Sequence, residues 1–368
     1  MRVLMLVSND VIHDSRVLKE ASALRDAGHQ VTAIGWDRAG TAPRSESFAG
    51  ISIHRIRTEG AMRALRKDLF RNPIWWRRAY RLARGLAFDV VHCHDLDTLP
   101  TGVRLRRSSG KPLVYDCHEV FGYMIEHDVP RFVASYAFRM ERRLSLEADR
   151  VVAVNPFVKE YIDRVSGKSA VLVMNCPEIT SDGYRAPADS PFTLLYLGTL
   201  HRSRFVLEAI DTVAELPSIR LVIGGSKQLT STVREMCAHQ PNTQFIGVVP
   251  NERVIPMTIE SSAVLAMFDP THRINQVGLP NKIFEAMAAG RPSIVTEGLP
   301  MADFVQKERC GLPVPYTRAG LRSAIDRLRG DPSLAERLGR NAFEAANRTY
   351  NWRTESRKLV AMYGELEP

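Results

Sequence analysis

The chain alternates short apolar runs with amphipathic stretches almost from end to end, and breaks that alternation once. Residues 2–8 (RVLMLVS) are apolar, short and ended by Asn9-Asp10, the signature of a buried strand. From Ser15 to Ala27 the apolar positions Val17, Leu18, Ala21 and Leu24 fall at helical spacing, with Asp14 or Ser15 to cap the start and Gly28 to close the end. Residues 31–35 read as the next strand. Strand, helix, strand without a hairpin signal is a parallel βαβ unit. Further strands are expected at 89–94, 112–118 and 150–154. Then Asn175 to Pro191 holds three prolines and Gly183 but few large apolar residues, and reads as a linker. The alternation restarts beyond it, with strands at 192–198, 219–225, 243–247, 263–268 and 292–296 and helices at 204–216, about 281–289 and over 317–349. A last helix, 350–368, carries Trp352, Leu359, Met362 and Tyr363 and is expected to pack back on the first domain. The expected organisation is α/β: a doubly wound domain over 1–175, a linker over 176–190 and a second doubly wound domain over 191–349. Such sheets bind ligands at the carboxyl ends of their strands, so two facing domains imply a cleft.

Length agrees, since 368 residues suit two domains better than one. Apolar residues at 45% and charged residues at 25% exclude disordered, collagenous and disulfide-scaffold classes. Runs such as Val3–Val7 and Val151–Val154 fall far short of the roughly 20 residues that span a bilayer. The start lacks the apolar core and cleavage site of a secretory leader. Five cysteines stand far apart, with no C-x-x-C pair to suggest zinc or redox chemistry, and a reduced, cytoplasmic chain is expected. The formal charge of +9 is mostly arginine, as only nine of the 50 basic residues are Lys.

The most specific segment runs Gly278-Leu279-Pro280-Asn281-Lys282-Ile283-Phe284-Glu285-Ala286-Met287-Ala288-Ala289-Gly290-Arg291-Pro292. It is a loop entering a helix that Gly290 stops. A helix N-terminus after a Gly/Pro loop offers free N–H groups and a positive dipole to a diphosphate. Lys282 adds a point charge, and Glu285, one turn in, is placed to accept both hydroxyls of a ribose.

This segment resembles the donor-binding signature of the family 4 retaining glycosyltransferases, in a variant reading P-N-K-hydrophobic-F-E. The resemblance extends over nearly the whole chain: Asp14-Ser15-Arg16-Val17-Leu18-Lys19-Glu20-Ala21, Asp89-Val90-Val91-His92-Cys93-His94-Asp95, Tyr115-Asp116-Cys117-His118-Glu119, Asn175-Cys176-Pro177, Tyr196-Leu197-Gly198-Thr199-Leu200 and Tyr350-Asn351-Trp352 follow in order. It implies the GT-B fold, two Rossmann-like domains facing across the active site. It also implies transfer of a hexose-type sugar from a nucleotide diphosphate sugar to an acceptor hydroxyl with retention, in cell-envelope glycan, glycolipid or secondary-metabolite synthesis. UDP is the favoured nucleotide on family frequency.

Carried over residue by residue, the resemblance makes Glu285 the second Glu of the family's E-x7-E motif. Val277 stands where the first Glu would contact the transferred sugar, which leaves Asn275 and Gln276 as its substitutes. Pro280, Asn281, Lys282 and Ile283 would meet the diphosphate, with Gly198, Thr199 and Arg202 completing the donor site. Arg204 is the best match to the basic residue that holds the leaving diphosphate, bidentately; the bland alternative is an exposed helix-start arginine. His118 would approach the reaction centre, so His118, Arg204 and Lys282 are the expected catalytic residues. Asp14, Arg16, His94, Asp95 and Glu119 would shape the acceptor side. For Arg16, pairing with Glu20 on the helix surface is an equal reading; for His94 and Asp95, packing is.

Asp95-Leu96-Asp97 formally matches a metal-chelating D-x-D, but two Rossmann-like domains favour metal-independent chemistry, and no cofactor or metal is expected. Residues 62–86 interleave eight basic residues with Leu65, Phe70, Ile74, Trp75, Trp76, Tyr80 and Leu82. They suit either docking on an anionic membrane at its inner, cytoplasmic face or packing of the aromatics on the first domain; nucleic acid is not expected as a partner. The expected partners are thus a nucleotide sugar, an acceptor and, through 62–86, a membrane surface. Rival readings are an epimerase or hydrolase of nucleotide sugars on the same fold, and an inactive binding protein, supported by the missing Glu.

Overall fold

The computed structural model describes residues 1–57, 68–179, 183–187 and 191–366. They form two compact units, Met1–Asn175 with Glu355–Pro368, and Cys176–Thr354.

In the first unit the strands are β1 (Arg2–Leu6), β2 (Gln30–Asp37), β3 (Ser45–Phe48), β4 (Ile51–Arg57), β5 (Val90–His94), β6 (Leu113–Cys117), β7 (Arg150–Ala153) and β8 (Val171–Leu172). They lie in the order β3-β4-β2-β1-β5-β6-β7-β8, and every pair except β3–β4 is parallel. The helices are α1 (Ser15–Asp26), α2 (Asp68–Ala83), α3 (Leu99–Ser109), α4 (Phe121–Ile125), α5 (Arg131–Ser145) and α6 (Pro156–Ser166). Parallel strands covered on both faces need apolar runs; β1 has one, while β5 and β6 are equally buried but interrupt theirs with His92, His94 and Asp116. Side chains close the helix starts: Asp14 accepts from Val17 N at α1, and Asn155 from Phe157 N and Val158 N at α6.

The second unit carries β9 (Phe192–Leu197), β10 (Ile219–Gly224), β11 (Thr243–Phe245), β12 (Ala263–Ala266), β13 (Ser293–Thr296) and β14 (Gly311–Val314) in the all-parallel order β11-β10-β9-β12-β13-β14. Its helices are α7 (Val206–Ala214), α8 (Thr230–Ala238), α9 (Asn251–Ile259), α10 (Asn281–Ala288), α11 (Pro300–Lys307), α12 (Arg318–Gly330) and α13 (Pro332–Arg348). Leu194, Tyr196, Leu221, Ile223, Leu265 and Ile294 from the sheet pack with Val206, Ile210, Leu321 and Ile325 from the helices. The final helix, α14 (Trp352–Gly364), belongs to the first unit from Glu355 onward.

The structure departs from the sequence reading in places. β3 and β4 form an antiparallel hairpin at the sheet edge, because Ala49 (φ 50°) and Gly50 (φ 75°) both take the left-handed conformation of a two-residue turn. The expected helix at 204–216 is split: Arg202–Arg204 form a short 3₁₀ turn, Phe205 breaks it at φ 57°, and α7 starts at Val206. Residues 180–182 and 188–190 of the expected linker lie outside the described residues, as do 62–67 of the basic-aromatic stretch and the side chains of 68–71. In the described part of that stretch the aromatics are engaged with the first unit. Trp75 is buried and stacks on Trp36 with centroids 6.1 Å apart, Trp76 Nε1 donates to the carbonyl of Asp97, and Tyr80 lies 4.0 Å from the Arg104 guanidinium. Arg77, Arg78, Arg81 and Arg84 are exposed. No helix among the described residues is long and apolar enough to cross a membrane.

Each sheet has one point where strand order reverses, between β1 and β5 in the first and between β9 and β12 in the second. Doubly wound sheets bind ligands beyond the carboxyl ends of the strands at that point.

Candidate active site

In the first unit the reversal point carries a dense cluster of charge. Asp14, Arg16 and Glu20 come from the start of α1, His92 and His94 from β5, Asp116 from β6, and Asp95 and His118 from the residues following those strands. Arg16 is its hub. The guanidinium is 3% exposed and grips Asp116 with two bonds, Nε to Oδ2 at 3.2 Å and Nη2 to Oδ1 at 2.8 Å. Nη1 donates to the Val173 carbonyl at 2.8 Å, and Nη2 lies 2.9 Å from Glu20 Oε1. The alternative of pairing with Glu20 is therefore found, but in the interior. The acceptor role expected for Arg16 does not fit, because its guanidinium is committed inside its own unit.

His118 sits between two carboxylates. Its Nε2 is 2.8 Å from Asp116 Oδ2, its Nδ1 is 3.3 Å from Asp95 Oδ2, and its backbone N–H donates to Asp95 Oδ1 at 3.0 Å. Burial alone would lower the imidazole pKa, but Asp95 and Asp116 outweigh it and raise it to about 10. His118 is thus an imidazolium at neutral pH. Asp95 holds φ 63°, a strained conformation for a non-glycine residue, and so turns its carboxylate onto His118. His94 is buried, with Nδ1 3.2 Å from His118 Nε2 and 3.3 Å from Asp116 Oδ2. Its ring stacks on His92 at 4.5 Å, and the Tyr363 hydroxyl from α14 lies 2.8 Å from His92 Nδ1. Burial pushes Glu20 up and both His92 and His94 down, so these three favour their neutral forms. Asp116 stays ionised against burial because Arg16 and His118 face it.

Asp14 caps α1 and accepts from Asn9 Nδ2 at 2.8 Å, while Glu119 is exposed beside His118. Glu20, His92, His94 and Asp116 bring ligand atoms within 4.8 Å of one another, the spacing a metal would need. Arg16 already pairs with Asp116 and contacts Glu20 in that group.

In the second unit the corresponding point is built on glycine and two cations. Gly225 (φ 143°) passes so close to β9 that a Cβ there would stand 1.8 Å from the Gly198 carbonyl oxygen. A Cβ on Gly198 (φ 144°) would meet Lys282 Nζ at 3.4 Å. Lys282, the second residue of α10, is buried, and its Nζ has no hydrogen-bond partner. The ammonium lies 3.5 Å over the Tyr196 ring. Burial lowers its pKa, the nearby Arg204 lowers it further, and Glu285 only partly opposes them, leaving it at about 7. Arg204 stacks 3.8 Å over Phe268 and donates from Nη1 to Asn275 Oδ1 at 3.0 Å. α10 starts after Pro280, whose side chain does not cap it, and Ile283 N–H donates to the Pro280 carbonyl at 3.0 Å.

A pocket of about 280 Å³ opens here. Its walls include Gly198 and Thr199 after β9, Gly225 after β10, Val249 and Asn251 at the start of α9, and Glu285. Of the donor residues expected from sequence, Gly198, Thr199 and Glu285 line it. Asn281 is exposed at the helix start, Pro280 is half-buried just before it, and Arg202 is exposed. Three are placed differently. Ile283 is 0% exposed and packs in the core, so only its backbone can serve a ligand. Asn275 is 2% exposed, donates to the Asp269 carbonyl at 2.8 Å and accepts from Arg204 Nη1 at 3.0 Å. Gln276 is exposed and bonds the Pro270 carbonyl at 3.2 Å. Sequence reasoning missed His92, Asp116, Glu20 and Tyr363 as members of the first cluster, and Tyr196 and Phe268 as the aromatic bed of the second.

Comparison with known proteins follows the same division. The family model described as "Glycosyltransferase Family 4" matches residues 15–175, and that described as "Glycosyl transferases group 1" matches residues 191–331. A glycogen synthase of Mycobacterium tuberculosis is 23% identical over 384 aligned positions, covering 95% of this chain and 91% of its own. An uncharacterized glycosyltransferase of Methanocaldococcus jannaschii is also 23% identical, over 93% of this chain and 91% of its own. Among solved structures, a sucrose-phosphate synthase from Thermosynechococcus elongatus superposes with TM-score 0.79 at 19% identity, covering 100% of this chain and 99% of its own. Anabaena HepE in complex with UDP-glucose superposes with TM-score 0.74 at 14% identity, covering 99% of this chain and 100% of its own. These two likenesses show the fold.

Proposed function

The chain belongs to the family 4 glycosyltransferases and has their GT-B fold, and from that premise we propose that it moves a hexose from UDP-hexose to an acceptor hydroxyl with retention at the anomeric carbon. One observation carries the reading: Lys282 Nζ is buried without a hydrogen-bond partner, close to the like charge of Arg204, at the open N-terminus of α10. A buried cation without an anion is costly. A diphosphate placed there supplies the missing charge, accepts from the ammonium, the guanidinium and the first N–H groups of α10, and is the group on which negative charge grows as the glycosidic bond breaks. Glu285 on the pocket wall suits the ribose hydroxyls. Gly225 lets the loop after β10 close against Gly198, and Gly198 keeps a side chain away from the Lys282 ammonium. The UDP-glucose complex of the similarly folded Anabaena HepE supports the choice of nucleotide and sugar.

In this reading the sugar C1–O bond to the β-phosphate breaks, the acceptor oxygen bonds C1 from the same face, and the leaving phosphate takes the acceptor proton. Arg204 and Lys282 hold the phosphate throughout. The acceptor belongs to the first unit, at the His118 cluster. His118 already carries its proton between Asp95 and Asp116, so its part is fixed positive charge and not proton removal. Asn275 acts by positioning Arg204.

The test is a screen of UDP-, GDP- and TDP-sugars by thermal stabilisation, followed by NMR of the product formed with candidate acceptors. Stabilisation by UDP-hexose and an α-product from an α-donor are expected. Stabilisation by none of the nucleotide sugars refutes the donor site, and inversion at C1 refutes the mechanism.

A further inference from the structure

We propose that the outer face of α5 docks on an anionic lipid surface. The inference is independent of the donor site. α5 carries large apolar side chains on its outer face as well as its inner one. Ala134, Ala137, Glu141 and Ser145 are buried on the inside, with Val133, Phe138 and Leu144 half-buried beside them and Phe138 packed on Tyr123 at 5.1 Å. Its outer stripe at i, i+4, i+7 and i+11 is Phe132, Tyr136, Arg139 and Arg143, and Leu146 continues it at the C-cap. A surface helix ordinarily turns its large apolar residues to the core. Here Phe132 is 72% exposed, Tyr136 58% and Leu146 55%. Six large apolar side chains are exposed among the described residues, and four of them (Met124, Phe132, Tyr136 and Leu146) fall within residues 124–146. The concentration marks a contact surface rather than scattered exposure.

Within α5 the exposed charges have one sign, while Asp128, in the turn before the helix, is also exposed. Arg131, Arg139, Arg142 and Arg143 are all exposed. The one carboxylate within α5, Glu141, points inward and accepts from the Tyr115 and Tyr161 hydroxyls, each at 2.6 Å. The next acid along the chain, Glu147, pairs with Arg107. Two guanidinium groups and two aromatic rings therefore line a stripe about 21 Å long from Phe132 to Leu146, at 1.5 Å per residue, with Arg131 and Arg142 on its flank. A protein partner would have to offer both a negative patch and pockets shaped for exposed rings. An anionic bilayer offers phosphates to the guanidinium groups and a deformable headgroup boundary to the rings, which is where Phe, Tyr and Leu settle.

The experiment is co-sedimentation of the full chain with phosphatidylcholine vesicles, pure or containing about one-third phosphatidylglycerol. Binding to the anionic vesicles is expected at low salt, with little binding to the neutral ones and loss of binding at about 0.5 M salt. The double variant Arg139→Gln/Arg143→Gln should weaken partitioning about 25-fold, roughly fivefold per basic residue. Phe132→Ser/Tyr136→Ser should weaken it at every salt concentration. All four side chains are exposed, so the circular dichroism and melting of both variants should match the wild type. No binding to anionic vesicles at low salt overturns the proposal, as does binding that both variants retain in full. Loss on arginine removal alone, with equal competition by soluble polyglutamate, assigns the face to an acidic macromolecule and also overturns it.

Discussion

Replacing Lys282 with methionine should make the ligand-free protein more stable and its donor site nearly useless. The side chains have similar length, and the ammonium already sits among aromatic rings, 3.5 Å over Tyr196 and 5.6 Å from the Phe268 centroid. Folding moves the lysine pKa from 10.5 to about 7, a cost to the charged form of ~5 kcal/mol at 1.36 kcal/mol per tenfold. At pH 7 half of the folded molecules escape it by losing the proton, and ~4 kcal/mol remains. Because the folded state binds fewer protons than the unfolded state between pH 7 and 10.5, this penalty is full below pH 7 and fades as pH rises to 10.5. Lys282→Met removes it at every pH. For a unit of roughly 180 residues the gain corresponds to about 10 °C in melting temperature at pH 7. Calorimetry from pH 6 to 10.5 should show the variant melting higher, with a gap that closes toward pH 10.5. Binding responds in the opposite direction. Loss of a charged contact to the diphosphate, worth ~1.5–3 kcal/mol, weakens UDP-hexose binding by about 10- to 150-fold. Wild-type affinity should fall as pH rises above 7, since the bound state needs the proton, and the variant should lack that dependence. A variant that melts at or below the wild type at pH 7, or a gap that does not change with pH, refutes the reasoning.

Three further outcomes follow from the same geometry. Glu285→Gln should weaken UDP and UDP-hexose binding by a similar factor, about tenfold or more, by calorimetric titration, if its carboxylate takes the ribose hydroxyls. Arg16→Leu leaves the ionised Asp116 buried without its guanidinium partner and should cost ~3–5 kcal/mol, read as a lower melting transition of the first unit with donor affinity unchanged. The His118 pKa is raised to about 10, so its stabilisation is complete below its unfolded value near 6.5 and is lost as pH climbs through 10; the first unit should therefore lose stability over the alkaline range in which the Lys282 penalty on the second unit declines, and calorimetry should show the two transitions moving in opposite directions.

What the sequence reveals here is what is local. The apolar runs give away β1, β5, β6, β9 and β10 because parallel strands buried on both faces tolerate few polar residues, and Pro280 through Glu285 announces a helix start whose loop, charge and carboxylate lie within six residues. The β3–β4 hairpin escapes because its turn is Ala49-Gly50 and its outer strand, Ser-Glu-Ser-Phe, is exposed and weakly patterned. Arg16 and Glu20 stand four apart, as a surface pair would, and nothing in that spacing tells that β6 brings Asp116 across 100 residues to bury both. Tyr363 meets His92 over 271 residues. Asn275 looks like a sugar ligand in the linear motif, but the loop after Asp269 folds it inward against Arg204. Side chains recruited across a sheet's reversal point carry no short-range signal, and those are the ones that set the electrostatics of both clusters.

The two reversal points are built to opposite electrostatic plans, and the proposed placement of the diphosphate rests on that difference. In the first unit the cations are matched in place: Arg16 answers Asp116 while also contacting Glu20, and His118 answers Asp116 and Asp95. The cluster satisfies most of its charge without a ligand, so a neutral, hydroxyl-bearing partner disturbs it least. In the second unit Lys282 has a like charge nearby and no acceptor on its ammonium, so the proton itself becomes labile near neutrality. In the proposed function an incoming diphosphate restores that proton while accepting from Arg204 and the start of α10. The strain in the free protein is then recovered as differential binding: greatest when the leaving group bears its full charge, smaller toward the intact sugar nucleotide. Product UDP should therefore bind more tightly than UDP-hexose. The same comparison in Lys282→Met should show the preference reduced, which ties the buried lysine to the leaving group rather than to the sugar.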